Sequence, residues 1–445
     1  MADETTPRWS TDQVLALAPD VASQRAGRGL ATPTRWRETG TDPPGLWGRC
    51  AGSGPTPYQV VVELTGPAVH CTCPSRKTPC KHALALLLLW SGGQVAAGKP
   101  PGWAAEWLDQ QAVRGDRAAA RAAAAADRAG EQTGQTDDAA ASKSRQRRMA
   151  RVEAGLDELD RWLADQIRQG IAGATRAGYE HWDTMAARLV DAQAQALASA
   201  VRRLAAVAAD PDRLLTELAL LRLLVDGYRR IYQLPADLAA TVRSRVGFPV
   251  PTAEVLAQPG VRDRWAVVGV QEQYEEWLTV RRVWLHGAGT GRSALSLSFA
   301  PAGQPLAADL LLGTVVDADL CFYPGALPLR AIVATQHSPA EPFREPPGTV
   351  DVATALDRYA AAVAAEPWLT RWPMLLAGVV PVADPAGRWH VRDHTGAGLP
   401  IDPVISAPWP LVAACGGAPV SLAAEWSPAG LRPLTAWAEG RLVRL

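Results

Sequence analysis

The pattern of hydrophobic and polar positions changes its period along the chain and predicts its first clear elements near residue 58. Residues Tyr58 to Leu64 are rich in β-branched side chains and predict a strand, and Ala68 to Cys73 predict the returning strand of a hairpin. After a short loop, Thr78 is a suitable N-cap and Pro79 suits the first position of a helix that continues to Trp90. This stretch therefore predicts a unit of two strands and one helix.

In the middle of the chain, apolar residues recur at helical spacing. A first helix is predicted from Val152 and is closed by Gly170, a second runs from about Tyr179 to Ala209, and a third opens with Asp210 as N-cap before Pro211. Three antiparallel helices with short loops imply a bundle. The positions that we expect to face its core are Val152, Leu156, Leu159, Leu163, Ile167, Trp182, Met185, Leu189, Leu197, Val201, Leu204, Leu214, Leu218, Leu221, Val225 and Tyr228.

A third pattern begins near residue 262, where short β-rich runs alternate with Gly/Pro turns. One predicted helix, Val350 to Ala365, interrupts these runs. We expect the tryptophans of this half to anchor its core rather than to line a ligand groove. The predicted strands are Trp265 to Val270, Leu278 to His286, Ala294 to Phe299, Leu311 to Cys321, Leu329 to Thr335, Met374 to Val382, Trp389 to Asp393, Val420 to Trp426 and Arg441 to Leu445.

These changes of pattern divide the chain into four parts. Residues 102 to about 130 are alanine-rich and predict a helix, and the polar residues 131–144 predict a mobile linker. We therefore predict an α+β multidomain protein. Its parts are an N-terminal domain at 1–107 with the ββα unit at 58–90, the Ala-rich helix and flexible linker at 108–145, a helical domain at 146–258, and a β-rich C-terminal domain of unknown fold at 259–445.

Composition narrows the class of protein. The chain has 45 basic (Lys, Arg) and 45 acidic (Asp, Glu) residues, so its formal net charge is zero and it has no general attraction to nucleic acid. The longest apolar run, Ala83 to Trp90, is too short to span a bilayer, and the acidic first residues do not resemble a secretory signal. Cys50, Cys321 and Cys415 are scattered, which favours a reducing compartment. We expect a cytoplasmic protein without a membrane partner.

The most specific chemistry lies in Cys71-Thr-Cys73, followed after six residues by Cys80-Lys-His82. Strand positions i and i+2 share a face, so Cys71 and Cys73 point the same way, and Cys80 and His82 fall in the first turn of the predicted helix. Three thiolates and one imidazole are a tetrahedral ligand set for zinc, and a closed shell of four protein ligands is typical of a structural site rather than a catalytic one. We predict one structural Zn²⁺ that contributes folding energy to a small unit without a core of its own.

Two nearby residues, Cys50 and His70, are alternative ligands. His70 is predicted on the opposite strand face from Cys71, and the tetrahedron is complete without either residue. We therefore prefer the set of Cys71, Cys73, Cys80 and His82.

The spacing C-x-C, a gap, then C-x-H resembles the SWIM zinc finger, with Cys71, Cys73, Cys80 and His82 as its ligands. The flanking residues, over about 10 to 107, are similar to bacterial members of that family, mostly actinobacterial ones. The resemblance implies a ββα fold with one zinc ion and a role in binding DNA or proteins. By association it also implies an accessory role beside a MoxR-type AAA ATPase and a von Willebrand factor A protein.

Other groups of residues invite a second chemistry, but each has a simpler interpretation. The glycine-rich segment from Gly287 to Gly291 lacks the Walker A lysine and is typical of a hairpin loop. The acidic cluster of Glu272, Glu275 and Glu276 is typical of a solvated face. The group of His390, Asp393 and His394 is typical of a turn. The basic cluster is typical of a solvated helix start or of the edge of a disordered linker, and it consists of Lys143, Arg145, Arg147, Arg148 and Arg151.

We therefore predict a non-enzymatic, zinc-binding interaction protein whose finger docks a protein partner. The first alternative is DNA binding, in which Arg76, Lys77 and Lys81, on or beside the zinc loop, contact phosphates. The second alternative is an enzyme with an unrecognised site in the C-terminal half, where a deep pocket with perturbed acids would mark it.

Overall fold

The structure is a computed structural model, and it describes residues 11–18, 21–52, 56–64, 69–75, 77, 79–110, 137–174, 178–274, 278–301, 310–405 and 407–445. It contains an N-terminal sheet with helices, a helical bundle and a C-terminal half built on two sheets, which confirms the predicted α+β multidomain class. None of the helices in these residues is long and apolar enough to cross a membrane.

The N-terminal part is larger than the predicted hairpin and helix. Two helices, α1 (Thr11–Ala16) and α2 (Val21–Leu30), precede an antiparallel sheet, and α3 (Lys81–Ser91) follows it. Residues 102–110 are helical and are labelled α4. The sheet has the order β1 (Trp36–Asp42), β2 (Gly45–Cys50), β3 (Tyr58–Glu63) and β4 (Val69–Cys71), so the predicted ββα unit is its second half with α3.

The start of α3 differs from the predicted one. The helix begins at Lys81, and Cys80 is its N-cap with an extended backbone (φ −74°, ψ 167°). Pro79 therefore precedes the helix instead of opening it, and Thr78 lies outside the described residues. The consequence is that Cys80 stands at the helix N-terminus, where backbone N–H groups have no partner within the helix.

The first helix of the bundle begins earlier than predicted. This helix, α5 (Asp137–Gln169), includes residues 137–144, which we had assigned to the linker, whereas residues 131–136 lie outside the described part. It is followed by α6 (Ile171–Ala174), α7 (Tyr179–Asp191), α8 (Gln195–Val207), α9 (Pro211–Arg229), α10 (Ala236–Val246) and α11 (Thr252–Leu256).

The second predicted helix is in fact two helices. The chain turns between α7 and α8, and Gln193 there has a left-handed backbone (φ 62°), which a continuous helix cannot include. The predicted core positions are buried in the bundle except Ile167, which is 52% exposed near the end of α5. The expected cap of α9 is present, since the Asp210 carboxylate accepts a hydrogen bond from the Arg213 N–H at 3.1 Å.

The C-terminal half contains two six-stranded antiparallel sheets. The first has the order β10-β8-β5-β6-β7, with β9 paired to β8, and the second has the order β13-β12-β11-β14-β15-β16. Two helices, α12 (Val352–Ala365) and α13 (Trp409–Cys415), accompany the second sheet. The strands are β5 (Val261–Tyr274), β6 (Leu278–Gly287), β7 (Ser293–Pro301), β8 (Thr314–Phe322), β9 (Ala331–Gln336), β10 (Glu341–Pro342), β11 (Trp372–Ala383), β12 (Trp389–Arg392), β13 (Gly398–Pro400), β14 (Val420–Ser427), β15 (Gly430–Ala438) and β16 (Arg441–Arg444).

The two C-terminal sheets pack on each other through large apolar side chains. Trp284 of β6 and Trp437 of β15 are 1% and 4% exposed in this shared core. The Trp284 Nε1–H donates to the Glu425 carboxylate at 2.8 Å, and the Arg371 guanidinium donates to the same carboxylate at 2.6 Å. This buried polar group therefore links the sheets. The expected core role holds for these tryptophans but not for Trp409, which is 63% exposed.

Candidate metal centre

Four side chains meet where β4 ends and α3 begins. Cys71 is the last residue of β4, Cys73 follows it, Cys80 caps α3 and His82 lies in the first helical turn. One ligand atom from each of the four residues lies within 4.8 Å of all the others, and Cys71 Sγ is 3.8 Å from His82 Nδ1. The structure thus brings together all four residues of the sequence motif.

The three thiols have unequal affinities for protons. The thiol of Cys71 donates a hydrogen bond to Cys80, and this bond, with smaller contributions from His82 and from the Ala83 N–H, lowers the pKa of Cys80 to about 4 against the cost of burial. The same bond raises the pKa of Cys71, and burial raises the pKa of Cys73. One thiolate is therefore already present at the helix N-terminus, where the helix dipole favours it.

This donor set fits one structural zinc ion. Zinc takes four nitrogen and sulfur ligands as a tetrahedron, and four protein ligands leave no open position for water or substrate. In the described part of the chain, these four residues form the sole cluster of His, Cys, Asp and Glu with this capacity. With zinc bound, three thiolates more than cancel the two positive charges of the ion, so the centre is weakly anionic.

The two alternative ligands lie outside this cluster. Cys50, the last residue of β2, is fully buried in the hydrophobic core, and burial raises the pKa of its thiol. The ring of His70 stacks on Trp107, with 6.0 Å between centroids. Both residues thus have packing roles, in agreement with the preferred ligand set.

The zinc centre rests on a substantial core, contrary to the prediction of a finger without one. Ala83, Leu84, Ala85, Leu86 and Leu87 of α3 are all fully buried. The core around α3 is formed by Val14, Trp36, Leu46, Cys50, Val60, Val62, Cys80, Ala83, Ala85, Leu86, Leu87, Leu89, Trp90, Val95 and Leu311. Strands β1 and β2 and helices α1 and α2 supply apolar surface that a free-standing hairpin and helix would lack.

A basic groove lies next to the zinc centre. It has a volume of about 750 Å³ and runs between α2 and the loop from Cys73 to Cys80. Lys77, Lys81 and Arg35 line it, and all three are exposed. Two of the three predicted contact residues, Lys77 and Lys81, thus share one surface, whereas Arg76 lies outside the described residues.

The glycine-rich segment is a hairpin loop, as predicted. It joins β6 to β7, and the Asp263 carboxylate accepts hydrogen bonds from the N–H groups of Gly289 and Thr290 at 2.9 and 2.7 Å. Against the cost of burial, hydrogen bonds from the Thr290 hydroxyl and these N–H groups lower the pKa of Asp263. A loop whose N–H groups already have an internal carboxylate does not offer them to a phosphate.

We expected the acidic cluster to lie on a solvated face, but Glu272 does not. The Glu272 side chain is 12% exposed and accepts a hydrogen bond from the Arg281 guanidinium at 2.7 Å. Glu275 and Glu276 lie outside the described residues.

The His/Asp group forms a structural turn. The carboxylate of Asp393 accepts from the Val352 N–H at 2.9 Å and from the Thr395 hydroxyl at 2.6 Å, and these bonds lower its pKa. In the basic cluster, the half-buried Arg148 donates to the Gly247 carbonyl and stacks over Phe248, so it packs against the bundle.

Comparisons with known proteins agree with this geometry. Residues 58–90 match the SWIM zinc finger, and residues 147–246 match the SWIM-associated four-helix bundle domain. Searches of curated proteins and of solved structures give no match. The matched finger ends with α3, and the matched bundle includes α7, α8, α9 and α10 with most of α5. The chain therefore contains a SWIM zinc finger, whose four Cys/His ligands lie together, and a SWIM-associated four-helix bundle domain.

Proposed function

We propose that the chain is a non-enzymatic docking protein, and that the groove beside its zinc centre receives an acidic, partly apolar segment of a protein partner. The observation that carries the proposal is the composition of this groove. Its charged lining residues are Arg35, Lys77 and Lys81, and neither Asp nor Glu is among the lining residues. Because all the charged residues that line it are cations, the groove complements an acidic segment.

The rest of the groove favours a peptide over a simple anion. Ala22, Ala26 and Leu30 of α2 and the ring of Tyr58 give it an apolar wall. Helix α2 also carries two exposed arginines and no acidic residue in its sequence VASQRAGRGL. An acidic segment with interspersed apolar residues would bury those residues against the wall and place its carboxylates near the cations.

The chemistry of the centre supports a binding role. A zinc ion with four protein ligands has no free position at which to polarise a substrate or ionise a water molecule. The lining residues of the groove include no carboxylate that would serve as a general acid or base. We propose a MoxR-type AAA ATPase or a von Willebrand factor A protein as the partner, because bacterial proteins with a similar finger are associated with both.

The test is a pull-down of the tagged full chain from lysate of its own cells, treated with nuclease and analysed by mass spectrometry. Recovery of an ATPase or von Willebrand-type protein is expected to survive nuclease treatment. It should fall at least tenfold in the double variant Lys77→Glu/Lys81→Glu, which reverses two cations of the groove. Lys99→Glu is the matched control, because Lys99 is exposed and does not line the groove.

Each variant must also retain one zinc ion per chain, so that a loss of recovery reports on the groove and not on the metal. Equal recovery of the identified partner by the double variant and by wild type would exclude the groove as the docking surface.

DNA binding through the same cations is the second candidate. Three contacts to phosphates would give a salt dependence of about −2.7 in log–log form, or about a 40-fold loss of affinity between 50 and 200 mM salt. Fluorescence anisotropy with a short labelled duplex measures this slope. A steep slope that is abolished by Lys77→Glu/Lys81→Glu, together with nuclease-sensitive recovery in the pull-down, would favour DNA over a protein partner.

A further inference from the structure

The C-terminal half contains a cavity of about 430 Å³ that is remote in sequence from the zinc finger. One wall is formed by the end of β6 and the start of β7, and the opposite wall by α12 and β11. Its volume lies within the usual range for small-molecule sites, which is about 300–1,000 Å³.

The wall of the cavity is apolar over most of its surface. Leu327, Leu329, Val350, Ala362, Trp372 and Met374 contribute to it. Its charged lining residues are Arg292 and Arg358, and no Asp or Glu is among the lining residues. The cavity therefore combines a hydrophobic interior with positive charge alone.

The two arginines have no carboxylate partner among the described residues. Arg292 instead lies over the ring of Phe322, with 4.1 Å from its guanidinium carbon to the ring centroid. Arg358 is exposed on α12. In the same half, Arg262 pairs with Asp317. The guanidinium groups at the cavity thus keep donors for a bidentate contact with an anion.

A buried histidine supplies the second, independent observation. His286 lines the cavity and is 5% exposed, and its ring Nδ1 has no hydrogen-bond partner among the described residues. The backbone at Gly348 closes the other side of the ring, because a Cβ at this glycine (φ +74°) would collide with Nε2. Nδ1 itself is enclosed by protein, so a ligand in the cavity would contact another edge of the ring.

We propose that this cavity binds a small monocarboxylate with an apolar body, whose carboxylate contacts the arginines and His286 and whose body fills the space against Trp372 and Met374. Burial, with a smaller contribution from the charge of Arg358, lowers the pKa of His286. A lowered pKa favours the neutral imidazole, which adds no buried charge beside the arginines.

The chemistry of the wall distinguishes this ligand class from others. A dicarboxylate whose first carboxylate contacts the arginines would place its second in the apolar space beside Trp372 and Met374, where an unpaired charge is unfavourable, and a phosphate would leave that space unfilled. A neutral hydrocarbon would leave both guanidinium groups without an anion to contact. An aliphatic monocarboxylate of octanoate size satisfies both the polar and the apolar surfaces.

Isothermal titration calorimetry of the full, zinc-loaded chain with octanoate tests this proposal, with octan-1-ol as the neutral probe of equal length. We expect one site per chain with a dissociation constant of about 1 mM or below, and at least tenfold weaker binding of octan-1-ol. Arg358→Met should weaken octanoate binding at least tenfold. Arg392→Met should leave it unchanged, since Arg392 is exposed and does not line the cavity.

A second variant tests the space inside the cavity instead of the charge of the arginines. Ala361 lines the cavity yet is itself exposed, so Ala361→Trp fills the mouth without disturbing the core and should abolish binding. Near-ultraviolet circular dichroism verifies that each variant is folded. Absence of octanoate binding at millimolar concentration, equal affinity for octan-1-ol, or unchanged affinity in Arg358→Met and Ala361→Trp would each overturn the proposal.

Discussion

The unequal thiols of the metal centre predict how many protons zinc displaces. Before zinc binds, Cys80 is a thiolate at neutral pH because its pKa is about 4, whereas the raised pKa values of Cys71 and Cys73 keep those thiols protonated. Zinc requires all three as thiolates. Binding should therefore release two protons per ion, and not the three that independent cysteines with a pKa near 8.5 would release.

The sign and size of the pH dependence follow from this count. Protons compete with zinc for Cys71 and Cys73, so affinity must rise with pH, by about 100-fold per pH unit between pH 7 and pH 8. This change corresponds to about 2.7 kcal/mol per unit, since each displaced proton contributes about 1.36 kcal/mol. At pH values above the raised pKa values of the two thiols, the affinity for zinc would no longer depend on pH.

Calorimetric titration of zinc into the metal-free chain at pH 7.5 measures the number of released protons. The titration is repeated in buffers of different ionisation enthalpy, and the slope of observed enthalpy against ionisation enthalpy gives the count. Cys73→Ser should lower the count to one, because it removes one of the two protonated thiols. Cys50→Ser is the control, since Cys50 is buried outside the cluster and its loss should leave two protons and full stoichiometry.

Release of three protons by the wild-type chain would refute this reasoning. It would mean that Cys80 is protonated before zinc binds, so that the hydrogen bond from Cys71 and the helix N-terminus do not hold a thiolate there. A fourfold lower zinc content of Cys50→Ser than of wild type would contradict the ligand assignment itself.

Three further predictions concern stability, each measured as the free energy of unfolding in urea. Trp182 is fully buried in the bundle and its indole N–H has no hydrogen-bond partner among the described residues, so Trp182→Ala should cost about 3–5 kcal/mol but Trp182→Phe clearly less. Equal losses in both variants would contradict this packing account. Glu425→Leu should cost about 3–5 kcal/mol, because it leaves Arg371 and the Trp284 N–H without their buried partner; an unchanged transition would show that this carboxylate does not link the sheets. Gly40→Ala should cost about 1–3 kcal/mol, because the added Cβ would lie 2.5 Å from the Trp47 ring, whereas Gly98→Ala, with open space around it, should be neutral.

The zinc centre could be predicted from the sequence because its information is local. Cys71, Cys73, Cys80 and His82 lie within twelve positions, and strand and helix periods alone bring them onto one site. The core of the bundle could be predicted for a similar reason, since its leucines recur at helical spacing. The prediction of one continuous helix across Gln193 was wrong because a short turn with one left-handed residue hardly interrupts an apolar stripe.

The strands that were missed depend on contacts distant in the sequence. Strand β1 contains Gly40, which a propensity scale counts against a strand but which the ring of Trp47 requires in the folded protein. Strand β15 contains Pro433, which normally argues against an inner strand. A register shift between Ala423 and Ala424 of the neighbouring strand accommodates it. Such compensations appear only when the partner strand is known.

The zinc centre and the groove are parts of one structure, and this bears on what the metal does. Lys81 lies between the ligands Cys80 and His82, and Lys77 lies in the loop between Cys73 and Cys80, so the ion fixes the backbone that carries two of the three cations. The groove wall at Tyr58 is tied to the same centre, since its ring lies 4.8 Å from that of His82. The apolar core beneath α3 is held by β1, β2, α1 and α2 as well. Because that core does not depend on the metal alone, we infer that zinc chiefly sets the shape of the proposed docking surface.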